Sequence, residues 1–228
     1  MVKVESVDIG SVRLSQRVWA SDHPTRPPVV LLPATGNTAA DWDGVAAELS
    51  RDRVVRAIDL RGHGESDWPG EYSLQLMADD IVALLRRSDE QPDLVGHSLG
   101  GLVACLAVAA APDAVRKLAL EDVPMPHPRP PATPARPRGR IDFDWRVIEQ
   151  VRPELDNPDS AWADVVGRIC VPTLVIAGGS RSPIPQRHVA ELAETLTRGQ
   201  LVTVDAGHLV HATEPQEFLK YLTAFLAD

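Results

Sequence analysis

The serine best placed to act as a nucleophile is Ser98, within the sequence GHSLG at positions 96–100. A G-x-S-x-G motif is typical of a sharp turn from a strand into a helix. The two glycines let strand and helix approach closely, and the turn lifts the hydroxyl clear of the sheet. The amide of Leu99 then lies at a helix N-terminus, where it can stabilise a developing oxyanion. Because an apolar run precedes the motif and a helical pattern follows it, the sequence predicts a nucleophile at Ser98.

Three further motifs accompany GHSLGG at positions 96–101. They are DLRGHGES at positions 59–66, VPTLVIAG at 171–178, and GH at 207–208 followed by EP at 214–215. In order and spacing, these motifs resemble those of the α/β-hydrolase superfamily over nearly the whole chain. The resemblance implies an α/β-hydrolase fold, with a mostly parallel central sheet flanked by helices. It also implies a serine hydrolase of the esterase type.

The general base that the resemblance implies is His208, which occupies the position of the family's catalytic histidine after the last strand. Open α/β sheets place their chemistry in loops at the carboxyl ends of strands, and this fold orders its triad as serine, acid, histidine. His208 would accept the proton of Ser98. His211 is the rival base, and we expect it instead to be a surface or pocket-edge residue.

The acid that should orient His208 departs from the family pattern. Its usual position follows the late strand, yet no aspartate or glutamate occurs between positions 164 and 191. Some members of the superfamily carry the acid after the strand that follows the nucleophile helix, where this chain has Glu121 and Asp122. Counting strand positions favours Asp122, and the following Pro-Met-Pro favours Glu121, so both are candidates. A serine–histidine dyad without an acid is the third alternative.

The oxyanion loop also differs from the family. The usual His-Gly pair after the first central strand is replaced by Pro33-Ala34. The next residue, Thr35, would still present a backbone N–H, and a backbone donor tolerates a change of side chain. We therefore predict that the amides of Thr35 and Leu99 form the oxyanion hole.

A sheet must carry these residues, and short apolar runs alternate with helical patterns along the chain as expected of a mostly parallel α/β sheet. The predicted strands cover residues 2–9, 12–19, 28–32, 54–58, 93–97, 115–120, 173–177 and 201–204, and the predicted helices cover 39–49, 74–85, 99–110, 144–152, 160–169, 186–196 and 215–226. The proline-rich residues 124–140 can form neither a helix nor a central strand. The prediction is a hydrolase core at 1–123 and 171–228, with a short cap or lid insertion at 124–170.

Composition narrows the class of partner. The chain has 228 residues, is 44% hydrophobic and carries a formal net charge of -9. This balance argues against nucleic acid or an anionic membrane surface as the main partner. No run is long and apolar enough to span a bilayer, and the first residues do not look like a signal peptide. We expect a cytoplasmic protein with a small-molecule substrate, no metal or cofactor, and two buried reduced cysteines; the oligomeric state is open.

Three function classes fit these motifs. The leading one is hydrolysis of an ester, thioester or lactone through an acyl-enzyme on the serine. The second is a cofactor-free lyase or cyclase, or a C–C hydrolase, of a biosynthetic pathway that uses the same triad. The third is a non-catalytic ligand-binding protein on this fold. The arginines of the proline-rich segment are interpreted as part of a solvated loop, with attraction of an anionic substrate as the alternative. They are Arg129, Arg136, Arg138 and Arg140.

Overall fold

A single eight-stranded sheet forms the centre of the molecule, whose residues 2–227 are described by a computed structural model. Its strands are β1 (Val2–Asp8), β2 (Arg13–Trp19), β3 (Val29–Leu32), β4 (Val55–Ile58), β5 (Asp93–His97), β6 (Lys117–Glu121), β7 (Thr173–Ala177) and β8 (Gly199–Thr203). They lie in the order β1-β2-β4-β3-β5-β6-β7-β8. The β1–β2 and β2–β4 pairs are antiparallel and every other pair is parallel. The predicted α/β fold with a mostly parallel sheet is therefore confirmed.

Helices cover both faces of this sheet. They are α1 (Asp43–Leu49), α2 (Leu74–Leu85), α3 (Leu99–Ala110), α4 (Arg146–Asp156), α5 (Trp162–Gly167), α6 (Gln186–Thr195), α7 (Val210–Thr213) and α8 (Pro215–Ala227). Alternate residues of β3 enter opposite layers of the core. Val30 and Leu32 pack with α2 and α3, whereas Val29 and Leu31 pack with α1 and α8. Burial on both faces is the reason that this strand reads as a continuous apolar run.

Helix boundaries follow local signals where those signals are strong. The Ser73 hydroxyl accepts a hydrogen bond from the Leu76 amide at 3.0 Å and begins α2 at the predicted residue. The predicted helix over residues 39–49 instead begins with a 3₁₀ turn, Ala39–Trp42, before α1. Helix α7 is absent from the sequence prediction because four residues are too few to show a helical period.

Residues 124–170 connect β6 to β7 across the carboxyl edge of the sheet. Their proline-rich first part has no regular helix or strand, and α4 and α5 follow it. The Gln150 side chain on α4 accepts a hydrogen bond from the Tyr72 amide and donates one to the Gly70 carbonyl, both at 2.8 Å. Asp144 accepts a hydrogen bond from the Tyr72 hydroxyl at 2.9 Å. These contacts attach the segment to the core beside α2.

Two further expectations concern the burial of the two cysteines and the absence of a membrane-spanning segment. Both cysteines are free, but only Cys105 is buried; Cys170 is exposed, so the expectation of two buried thiols is wrong for it. Cys170 lies in the irregular segment between α5 and β7. Within residues 2–227, every helix is too short or too polar to cross a lipid bilayer.

Candidate active site

Ser98 occupies the strained turn between β5 and α3. Its backbone has φ 51 and ψ -114, a conformation that costs a non-glycine residue about 1–3 kcal/mol. A Cβ atom on Gly96 would lie 2.6 Å from the Gly100 carbonyl oxygen, and one on Gly100 would lie 2.5 Å from the Leu32 carbonyl oxygen. Real Cβ atoms do not approach backbone oxygens this closely. The two glycines of the motif are therefore required for strand and helix to meet around Ser98.

The structure brings Asp122, and not Glu121, to His208. Asp122 Oδ2 lies 2.7 Å from His208 Nδ1. Because a carboxylate oxygen accepts, Nδ1 carries the proton and Nε2 keeps its lone pair free to act as a base. Asp122 directly follows β6 and has a φ of 48. Within residues 2–227, Ser98 and Asp122 are the two non-glycine residues with positive φ, so backbone strain is concentrated at these two positions.

A dense set of donors holds Asp122 in its charged form. Oδ1 accepts hydrogen bonds from the Gly178 amide at 2.9 Å and from Gln186 Nε2 at 3.0 Å, and Oδ2 also accepts one from the Ser182 hydroxyl. Burial by itself raises the pKa of Asp122, but these bonds and the one from His208 outweigh it and lower the pKa below its ordinary value. Ser182 stands near the family's usual acid position, which is the sequence signal for its role, whereas Gln186 carried none.

Glu121 makes a separate pair with His211. The Glu121 carboxylate accepts from the His211 amide at 2.8 Å, and its two oxygens lie 2.9 and 2.8 Å from His211 Nδ1. His211 thus occupies the Glu121 carboxylate, whereas Asp122 lies beyond β6 and its φ of 48 takes it out of the alternation of a strand. The expectation that His211 is a surface or pocket-edge residue is wrong, because it is 4% exposed and stacks on Trp42 with ring centroids 4.3 Å apart.

The His211 site carries a stability prediction. Burial alone lowers the pKa of His211, but Asp41 and Glu121 outweigh this and raise it from 6.5 to about 9. A raised folded-state pKa stabilises the protein fully below the unfolded value and loses that contribution as the pH rises through 9. Between pH 6.5 and 9.5 we expect the wild type to lose about 3 kcal/mol of unfolding free energy that His211→Gln does not lose. Urea unfolding at both pH values measures this difference. Equal pH dependence in the two proteins would contradict it.

His97 connects the two histidine–carboxylate pairs. Its Nε2 donates to the His208 carbonyl oxygen at 2.8 Å, and its ring centroid lies 4.7 Å from that of His208 and 5.5 Å from that of His211. Burial lowers the pKa of His97, so the ring is neutral and its Nδ1, which has no partner in residues 2–227, is unprotonated. His97 is the residue directly before Ser98, and its hydrogen bond to the His208 carbonyl holds the backbone of His208 in place.

Ser98 and His208 share the carboxyl edge of the sheet without a direct bond. The Ser98 amide donates to the Glu121 carbonyl at 3.1 Å, which places Ser98 beside the end of β6, one residue before Asp122. Across the part of the chain that the structure describes, the Ser98 hydroxyl makes no hydrogen bond to the His208 ring. In serine hydrolases this bond often tightens only when substrate binds.

The two predicted oxyanion donors are free to bind. Thr35, Ser98 and Leu99 line one cavity of about 510 Å³. Neither the Thr35 amide nor the Leu99 amide donates a hydrogen bond to any residue from 2 to 227. The neighbouring loop is held by the Gly36 amide, which donates to His63 Nε2 at 3.1 Å. With Pro33-Ala34 in place of His-Gly, a free backbone N–H at Thr35 thus still lines the cavity that Ser98 lines.

Two groups of histidine and glutamate have ligand atoms within 4.8 Å of one another. One is His97, Glu121 and His211, and the other is His127, His188 and Glu191. In the first, both glutamate oxygens already accept from His211, and His97 already donates to a carbonyl. In the second, His127 Nε2 lies 2.7 Å from Glu191 Oε2. Hydrogen bonds between side chains thus join Glu121 to His211 and His127 to Glu191, while His188 contacts His127 through its ring, with centroids 4.3 Å apart.

Comparisons with known proteins identify the family to which the chain belongs. A family model described as the alpha/beta hydrolase family matches residues 29–220. The chain is 28% identical to the esterase Rv0045c of Mycobacterium tuberculosis, covering 98% of this chain and 89% of that protein. It is 26% identical to the sn-1-specific diacylglycerol lipase ABHD11 of Mus musculus, covering 98% and 88% respectively.

A solved structure extends the comparison to the fold. The enol-lactonase from Burkholderia xenovorans LB400 has a TM-score of 0.86 to this chain at 22% identity, covering 98% of this chain and all of that one. Its identity is low enough that it bears on the fold alone. With the family match over most of the sequence, the chain belongs to the alpha/beta hydrolase family and is a hydrolase of that fold.

Proposed function

We propose that this protein hydrolyses an ester, thioester or lactone of a small to medium organic substrate through an acyl-enzyme on Ser98. The observation that carries the proposal is the Asp122–His208 contact of 2.7 Å at the sheet edge that holds the strained serine. The similarity to an esterase and to a diacylglycerol lipase supports an ester-type bond. A non-catalytic ligand-binding protein would not need a charged carboxylate that keeps the proton of a histidine on Nδ1 and leaves Nε2 unprotonated.

The proposed reaction uses each residue for one task. His208 Nε2 takes the Ser98 hydroxyl proton as the serine oxygen attacks the acyl carbon, and the Thr35 and Leu99 amides stabilise the oxyanion. Collapse of the tetrahedral intermediate expels the alcohol or thiol, which receives the proton from His208. Water then enters, gives a proton to His208 and attacks the acyl carbon. The second tetrahedral intermediate collapses with cleavage of the bond to the Ser98 oxygen, which receives the proton from His208 as the carboxylic acid is released. Asp122 stabilises the imidazolium in both halves.

Labelling with a fluorophosphonate tests the nucleophile directly. We expect the Ser98 oxygen of the wild type to displace fluoride from the reagent and to carry a covalent phosphonyl group, because only an activated hydroxyl reacts quickly. Ser98→Ala should show no adduct by intact mass. Ser180→Ala is the matched control, since Ser180 is exposed and donates to Asp205 outside the cavity, and it should label as wild type does.

The same experiment separates the competing functions. Absence of an adduct on correctly folded wild type would contradict a hydrolase with an activated serine. An adduct on Ser98, together with no turnover of any ester, thioester or lactone, would instead favour a lyase or cyclase that uses the triad as a base.

A further inference from the structure

The cavity over Ser98 has an unusual charge. Beyond Thr35, Ser98 and Leu99, its walls are formed by residues 124–130, by Leu102, by two residues of α4, and by residues 184, 185, 187 and 188. Its charged or ionisable lining residues are Arg129, Arg152, Arg187, His127 and His188, and none of the described lining residues is acidic. The whole chain has a net charge of -9. A lining with three arginines and no acidic residue on an acidic protein is therefore a local feature that the bulk composition does not explain.

Two of the arginines are only half neutralised. Arg129 Nε and Arg152 Nε lie 2.6 and 2.7 Å from the same oxygen of Asp156, which is 4% exposed. One negative carboxylate thus pairs with two positive guanidinium groups, so the three groups together keep one positive charge. The buried Asp156 fixes the direction of both side chains, because each bond uses the same carboxylate oxygen.

Arg187 adds a second positive charge. Its side chain forms no ion pair within residues 2–227, and its charge lowers the pKa of the adjacent His188 together with burial and His127. An arginine that is unpaired and exposed at a cavity wall has its five donors available for an oxyanion.

The rest of the cavity is apolar. Leu102, Met125, Leu155 and Ile184 share its lining with the prolines of residues 124–130. A cavity of about 510 Å³ lies within the usual size range of small-molecule sites. The lining thus combines a nucleophile, apolar side chains for a short hydrocarbon chain, and guanidinium groups for an anionic end.

We propose that this cavity selects substrates that carry a carboxylate in addition to the bond to be cleaved, with Arg187 as the principal anion-binding residue. The inference rests on the proposed function. For Arg129 it adopts the alternative that the side chain attracts an anionic substrate, because Asp156 holds that side chain at the cavity. The carboxylate can belong to the acyl part or to the leaving group, and the test below distinguishes the two.

The test compares esters with and without the anion. The neutral substrate is 4-nitrophenyl hexanoate, the acyl-side anion is the 4-nitrophenyl monoester of adipate, and the leaving-group anion is 4-carboxyphenyl hexanoate. The measured quantity is kcat/KM for each anionic ester divided by kcat/KM for the neutral ester. Arg187→Gln should lower this ratio about tenfold for one of the two anionic esters, because a charge-assisted hydrogen bond is lost. Arg187→Lys should retain most of it.

A matched control removes the same charge elsewhere. Arg198 is exposed, and its carbonyl accepts from the Thr173 amide at the start of β7, at the opposite edge of the sheet from the cavity. Arg198→Gln should leave the ratio unchanged. Equal ratios in wild type, Arg187→Gln and Arg198→Gln would overturn the inference while hydrolysis of the neutral ester still supported the proposed function. Failure of wild type on all three esters would contradict the proposed function itself.

Discussion

Asp122→Asn is expected to lower kcat for ester hydrolysis by about 10⁴-fold. The Gly178 amide and Gln186 Nε2 both donate to Oδ1, so the carbonyl oxygen of asparagine takes that position. Its NH₂ group then faces His208 Nδ1 in place of Oδ2. A donor at that point forces the proton onto Nε2, and His208 can no longer accept the proton of Ser98.

Glu121→Gln is the matched comparison, one residue away. It removes charge from the buried pair with His211 but leaves an acceptor for the His211 amide. We expect a loss of about 2 kcal/mol of unfolding free energy, because a hydrogen bond to a charged group is weakened. Its kcat below the unfolding midpoint should stay within about tenfold of wild type. Steady-state kinetics and thermal unfolding of both variants measure the contrast, and a larger loss of kcat in Glu121→Gln than in Asp122→Asn would reverse the assignment of the acid.

Removal of His208 is expected to lower kcat by about 10⁴- to 10⁶-fold, because Ser98 loses the base that makes it nucleophilic. His208→Ala and Ser98→Ala should each have this effect, and the double variant should lose no more than either single one, because the two residues act as a unit. Single-turnover hydrolysis of a chromogenic ester measures all three.

The control for this series is His23→Ala, since His23 is exposed and lies in the loop before β3. It should have wild-type kinetics. Multiplicative losses in the double variant would mean that Ser98 and His208 contribute independently, which the proposed mechanism does not allow.

Most of the fold could be predicted from the sequence because its signals are local. The apolar runs of β3, β5 and β7 are buried on both faces, and the helix from Leu74 to Leu85 has a capping serine and a regular apolar spacing. The short helix α7 and the 3₁₀ turn before α1 lack this regular spacing of apolar residues, so the sequence did not predict them. The strand-to-helix turn at Ser98 could also be predicted, because it requires two glycines at fixed offsets from the serine.

The identity of the residue beside His208 could not be predicted in the same way. Glu121 and Asp122 are adjacent acids at a strand end, and the sequence offers each a plausible reason to face the histidine. The choice depends on where β6 ends and on the positive φ of Asp122, which turns its side chain towards the loop after β8. Neither property is visible in a linear pattern.

For this protein, the sequence by itself determined the α/β-hydrolase class, the strand-to-helix turn at Ser98 and the position of His208 after the last strand. These depend on residue types at fixed spacings, which act through local backbone geometry and burial. Only the tertiary structure decided that Asp122 meets His208, that Glu121 meets a buried His211, and that Arg187 shares a cavity with Ser98. Each of these three pairs consists of residues more than 80 positions apart. Their arrangement is set by the twist and register of the whole sheet rather than by the local sequence around either residue.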